Sequence, residues 1–163
     1  MTDEEKATKK SEAQDLKKKG NEFYLAGENE EAIREYNHAL ELCPLCFKED
    51  RSILMANKAA ALIKMDEKEK AIDECTEALE LNPNYVKVLL RRGQTYENMD
   101  KPHEAMKDFE KVLEIDSGNK EARMAVMRLP EKIKIKDEKL KEEMLGKFIC
   151  KMGLPGQAGQ FYY

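Results

Sequence analysis

The sequence predicts an all-α chain: a right-handed superhelix of three helix-turn-helix repeats closed by a further capping helix. Three observations predict it. Shifted by 34 residues, the chain matches itself: Ala59 falls on Gly93, Ala71 on Ala105, Cys75 on Phe109 and Ala78 on Val112. Shifted by 39, it brings Gly20 to Ala59, Ala32 to Ala71, Tyr36 to Cys75, Ala39 to Ala78 and Pro44 to Pro83. The second shift is the first plus an insertion of five, which residues 47–51 can supply. Third, the apolar residues inside each period recur at i, i+3, i+4 and i+7, the spacing of one helical face. A fixed period of this length, with small and aromatic residues at set places, marks helix pairs stacked into a solenoid.

Each element follows from local chemistry. Residues 1–12 are charged and read as a frayed or extended helical lead-in. The first repeat spans about residues 13–46, with Leu16, Gly20, Phe23 and Tyr24 on its first helix and Ala32, Ile33, Tyr36, Ala39 and Leu40 on its second. Gly20 lets the second helix approach closely, and Gly27-Glu28-Asn29 forms the turn between them. The second repeat spans about 52–85, with Met55, Ala59 and Leu62 facing Ala71, Ile72, Cys75, Ala78 and Leu79. Asn82-Pro83-Asn84 ends it, since proline cannot continue a helix. The third spans about 86–119, with Leu89, Gly93 and Tyr96 facing Ala105, Phe109, Val112 and Leu113. Pro102 suits a first helical turn. Residues 120–147 form the capping helix, with a kink or break expected at Pro130. Residues 148–163 change character, with Gly, Pro155 and a final Phe161-Tyr162-Tyr163, and read as a flexible tail.

Composition narrows the function. The chain has 163 residues, 33 acidic and 29 basic, and the charges are mixed along it. That balance gives no reason to expect nucleic-acid binding. No apolar run approaches the roughly 20 residues that span a bilayer. Met1 to Lys10 is polar, unlike a signal peptide. The four cysteines, Cys43, Cys46, Cys75 and Cys150, are few and unevenly spaced. A reduced, cytoplasmic setting is expected, with a monomer that needs no cofactor.

The informative positions flank the core. Lys17 and Asn21 lie four apart on the first helix of the first repeat, and Lys87 and Arg91 four apart on the first helix of the third. Asn57 sits on the first helix of the second. Residues four apart share a helical face, so three cations and two amides can converge on the concave side. Arg and Lys supply charge-assisted bonds and Asn supplies neutral donors, a set suited to carboxylates.

The period, with "LKKKGNEF", "LMANKAAALIK" and "YVKVLLRRG", resembles the tetratricopeptide-repeat co-chaperones that carry a two-carboxylate clamp. The resemblance implies binding to the C-terminal peptides of cytosolic Hsp70 and Hsp90, which end in Glu-Glu-Val-Asp. It implies that Lys17, Asn21 and Asn57 hold the terminal carboxylate, and that Lys87 and Arg91 hold the last Asp side chain. Lys64 matches a further peptide-contacting basic position.

Other motifs point elsewhere. Cys43-Pro44-Leu45-Cys46 has the spacing of a redox motif or half a zinc site. It lies at a helix C-terminus, however, where the dipole raises a thiol pKa, and His38 would bring only a third ligand. Two small residues at a repeat junction is the favoured reading. His38 and His103 have no catalytic partners, the acidic and basic residues read as solvated faces, and an enzyme is not expected. The rival function is a signalling scaffold that binds a non-chaperone partner through the convex face or the C-terminal helix.

Overall fold

The computed structural model describes residues 1–153, and seven helices account for nearly all of them. They are α1 (Asp3–Leu25), α2 (Asn29–Leu42), α3 (Lys48–Lys64), α4 (Lys68–Leu81), α5 (Val86–Asn98), α6 (Pro102–Ile115) and α7 (Lys120–Lys151). Successive helices pack antiparallel as three pairs, α1/α2, α3/α4 and α5/α6, and the pairs stack through α2 on α3 and α4 on α5. The first helices of the pairs also touch one another, α1 with α3 and α3 with α5, and so line one side of the stack.

The period appears as repeated contacts. In the first pair a methyl group at Gly20 would lie 2.7 Å from the Tyr36 ring, and in the third a methyl at Gly93 would lie 3.1 Å from the Phe109 ring. In the second pair the equivalent residues are Ala59 and Cys75, both buried. A larger first-helix residue is matched by a smaller second-helix one, so the helices keep close packing. The turns repeat too. Gly27, Asp66 and Asp100 adopt positive φ, 83°, 60° and 55°. After each of them a backbone N–H reaches back to the carbonyl five residues earlier: Glu28 to Phe23, Glu67 to Leu62, Lys101 to Tyr96. This bond pattern satisfies carbonyls that the helix end would leave unpaired.

The five-residue insertion lengthens α3 by a turn at its start. That turn brings Arg51 over the end of α2, where Nη1 donates to the Leu40 and Cys43 carbonyls at 2.7 and 2.8 Å. It also engages the start of the chain. Lys10 pairs with Asp50 at 3.0 Å and lies over the Phe47 ring. The lead-in is therefore a continuous part of α1 rather than a frayed end, and the Thr2 side chain caps it through the Glu5 N–H.

At the other end α7 buries Ala122, Ala125 and Leu129 against the third pair. One period after Leu89, Gly93 and Tyr96 stand Arg123, Met127 and Pro130. Met127 is exposed and occupies the place where a small residue admits a second helix. The outer face of α7 therefore lacks the small residue on which a second helix packs in the first and third pairs. The break expected at Pro130 does not occur, and α7 runs on to Lys151. Pro130 is exposed, with Leu129 buried beside it, and the helix is tied on both sides of it. Glu97 accepts from Arg128 at 2.6 Å and from Lys132 at 2.7 Å. Further on, Lys136 reaches Asp100 at 3.1 Å and Asp137 reaches His103 at 2.8 Å. Residues 148–151 of the expected tail are helical, and residues 154–163 lie outside the described residues.

Candidate functional site

The first helices of the three pairs bring part of the sequence-predicted set together: Asn21, Asn57 and Arg91. Asn21 on α1 and Asn57 on α3 meet directly, the Asn57 amide donating to Asn21 Oδ1 at 3.2 Å. The same oxygen accepts from the Tyr36 hydroxyl at 2.6 Å. Tyr36 is fully buried on α2, and its pKa is pushed up to about 12, by burial first and by Tyr24 second, so it stays a donor. With its oxygen held by two donors, the Asn21 amide has both N–H groups unused among the described residues. Arg91 on α5 donates from Nη1 to the Ala56 carbonyl of α3 at 2.8 Å, next to Asn57. Asn21, Asn57 and Arg91 thus form one chain of contacts across α1, α3 and α5.

Lys17 and Lys87 lie one turn before Asn21 and Arg91 on the same helical faces, Lys17 half-buried and Lys87 exposed. Lys64 is exposed at the end of α3, two turns beyond Asn57 on its face, and no hydrogen bond joins it to the others among the described residues. Lys17, Lys64, Lys87 and Arg91 form no ion pair among those residues. Arg92, next in sequence to Arg91, is bound fork-to-fork by Asp108 at 2.7 and 2.8 Å and also donates to Thr76 at 3.0 Å.

Arg92–Asp108 belongs to a set that sequence reasoning missed. Lys19–Glu35, Lys58–Glu74 and Arg92–Asp108 each join the two helices of a pair, sixteen residues apart. The 39- and 34-residue shifts carry each onto the next. From the sequence these residues read as solvated surface charge, although the periodicity of the straps is a usable signal. The sequence places Tyr36 in the core, but its hydroxyl's hold on Asn21 has no sequence signature.

Cys43 and Cys46 lie at the junction of the first and second repeats. Cys43 is buried, and burial raises its pKa most, partly offset by Arg51 and Lys10. It stands where the other repeats have Asn82 and Asp116, each closing its helix by the same backbone bond. Cys46 is exposed, and Cys75 is buried with a pKa raised to about 11, chiefly by desolvation. No group of three or more potential metal ligands exists among the described residues. No helix among them is long and apolar enough to cross a membrane.

Comparison with known proteins agrees with this architecture. Tetratricopeptide-repeat models match residues 54–85 and 86–119. The first TPR of Spaghetti (RPAP3) bound to the HSP90 peptide SRMEEVD is 31% identical, with a TM-score of 0.66, over 74% of this chain and 94% of that one. The chain belongs to the tetratricopeptide repeat family. The second TPR domain of human RPAP3, in complex with the HSP70 peptide SGPTIEEVD, is 33% identical with a TM-score of 0.64, over 72% and 94% of the two chains. Among full-length relatives, mitochondrial import receptor subunit TOM70 of Rattus norvegicus is 38% identical over 112 residues, 69% of this chain. The chain spans only 18% of that receptor's length.

Proposed function

We propose that this repeat domain is a non-enzymatic adaptor that holds the C-terminal Glu-Glu-Val-Asp peptides of Hsp70 or Hsp90 in a two-carboxylate clamp, in the cytoplasm. The observation that carries the reading is the set of cations without carboxylate partners among the described residues, Lys17, Lys87 and Arg91, beside the bonded Asn21–Asn57 pair. Related domains in complex with peptides that end in EEVD support the partner class. In this reading Lys17, Asn21 and Asn57 take the terminal carboxylate. Lys87 and Arg91 take the last Asp side chain, and Lys64 takes an upstream acidic residue. A finer kinship fits: "ALELCP", "RSIL" and "MRLP" resemble tetratricopeptide repeat protein 1 up to about residue 147.

The energetics suit a transient partner. Micromolar affinity corresponds to about −8 kcal/mol, which a few charge-assisted bonds at roughly 1.5–3 kcal/mol each supply after ordering costs. Added salt weakens the contact, because the inner face is open to solvent. The test is a calorimetric titration with a Glu-Glu-Val-Asp peptide and its C-terminal amide. Amidation removes one negative charge opposite Lys17 and is expected to weaken binding at least tenfold. Equal affinity for acid and amide would sink the clamp and favour the signalling scaffold.

A further inference from the structure

The outer side of the stack carries a second surface, opposite in charge to the inner face. Between α2 and α4, over α3, lies an open groove of about 620 Å³. Ile33, Leu62 and Met65 contribute its apolar lining, and five carboxylates and two lysines surround them. Both lysines are already spent, Lys58 on Glu74 and Lys70 on Glu67. Glu30, Asp73 and Glu77 therefore face the groove without an ion pair among the described residues.

The same chain displays a complementary element. Beyond its ties to the third repeat, α7 projects with Leu140, Met144, Leu145, Phe148 and Met152 each more than half exposed. From Leu145 onward these residues recur at spacings of three and four, with Met144 four before Phe148, so they form a single apolar strip. Lys141, Lys147 and Lys151 border it and form no ion pair among the described residues. Residues 139–151 carry four lysines against two glutamates. Elsewhere among the described residues exposed large apolar residues stand singly, as at Leu25 and Leu45, or as the short pair Met124 and Met127. A contiguous exposed strip marks an interaction site. Within one molecule α7 sits on the third repeat, at the far end of the stack from α2, so this end cannot fold into the groove of its own chain.

We propose that the projecting end of α7 docks in the α2–α4 groove of a second copy, its apolar strip on Ile33, Leu62 and Met65 and its lysines against Glu30, Asp73 and Glu77. The contact is small and partly ionic, so it belongs to the weak, transient class, and it leaves the inner face open. A dilute chain is a monomer, and a concentrated one associates.

Sedimentation velocity from micromolar to millimolar protein tests this. The expected result is a sedimentation coefficient that rises with concentration and falls back in high salt. Asp73→Lys with Glu77→Lys, and separately Lys147→Glu with Lys151→Glu, should each weaken association at least tenfold, and an equimolar mixture of the two variants should regain it. Circular dichroism confirms that each variant is folded. A coefficient independent of concentration overturns the proposal. So does association that ignores the groove substitutions yet disappears with Met144→Ser and Phe148→Ser, which would mean that the strip pairs with itself. Because no chaperone peptide is used, the outcome is independent of the clamp.

Discussion

Arg91 and Arg92 are neighbours in the chain and opposite in fate. Arg92 repeats Lys58 and Lys19, is locked to Asp108, and straps α5 to α6. Arg91 falls in register with Asn57 and Lys18, has no carboxylate partner among the described residues, and meets only the Ala56 carbonyl. The contrast extends across the domain. The packed positions Gly20/Tyr36, Ala59/Cys75 and Gly93/Phe109, the straps and the left-handed turn residues all return at the 34- and 39-residue shifts. The residue types of the proposed clamp do not: Asn57 and Arg91 share a register but not a side chain, one period on from Asn21 stands Ala60, and one back from Lys87 stands Ile53. Positions that repeat hold the stack together. Positions that break the repeat are the ones left with unused donors and charge.

The comparison can be broken first at Arg92. Arg92→Ala strands Asp108, which is only 4% exposed, and should lower unfolding free energy by about 3 kcal/mol. Chemical denaturation measures this, and a loss under 1 kcal/mol would show that the straps are ornamental. Gly20→Ala comes next. The added methyl meets the Tyr36 ring at 2.7 Å, and overpacking of about 1–3 kcal/mol should exceed the helix-propensity gain of about 1. Gly93→Ala, at 3.1 Å, should cost less. Because Tyr36 also holds Asn21, Gly20→Ala should weaken peptide binding and Gly93→Ala should not.

A third prediction concerns the closing helix, where the repeat ends. Hydrogen bonds from Arg128, ahead of that from Lys132 and against desolvation, hold Glu97 down from 4.5 to about 2. A carboxylate depressed on folding contributes stability that is full above its unfolded pKa and is lost as pH falls through its folded one. Acid melts should therefore loosen α7 between about pH 4.5 and 2, and Glu97→Gln should flatten that part of the curve. The smallest effect is at the turns. Asp66 sits at φ 60° where the first repeat has Gly27, so Asp66→Gly should be neutral or stabilising by up to about 1 kcal/mol.

The repeat was legible because packing is periodic: Gly20, Ala59 and Gly93 announce themselves by position, and so do Tyr36, Cys75 and Phe109. The candidate site was legible only through i, i+4 pairs on first helices and through resemblance, since nothing periodic marks it. Two features lay beyond the sequence. The bond from Tyr36 to Asn21 depends on how closely α1 and α2 approach. The survival of α7 through Pro130 depends on the ties to Glu97 on both flanks, which outweigh a local preference to break.

The most direct test of the division is a pair of measurements on Lys87→Ala. Lys87 is exposed, outside every strap, and paired with nothing among the described residues. Its removal should leave the melting temperature unchanged and weaken binding of a free-acid Glu-Glu-Val-Asp peptide at least tenfold, the effect of losing one charge-assisted bond. A fall in melting temperature with unchanged affinity would contradict the account, because the position that breaks the repeat would then serve the fold and not the ligand.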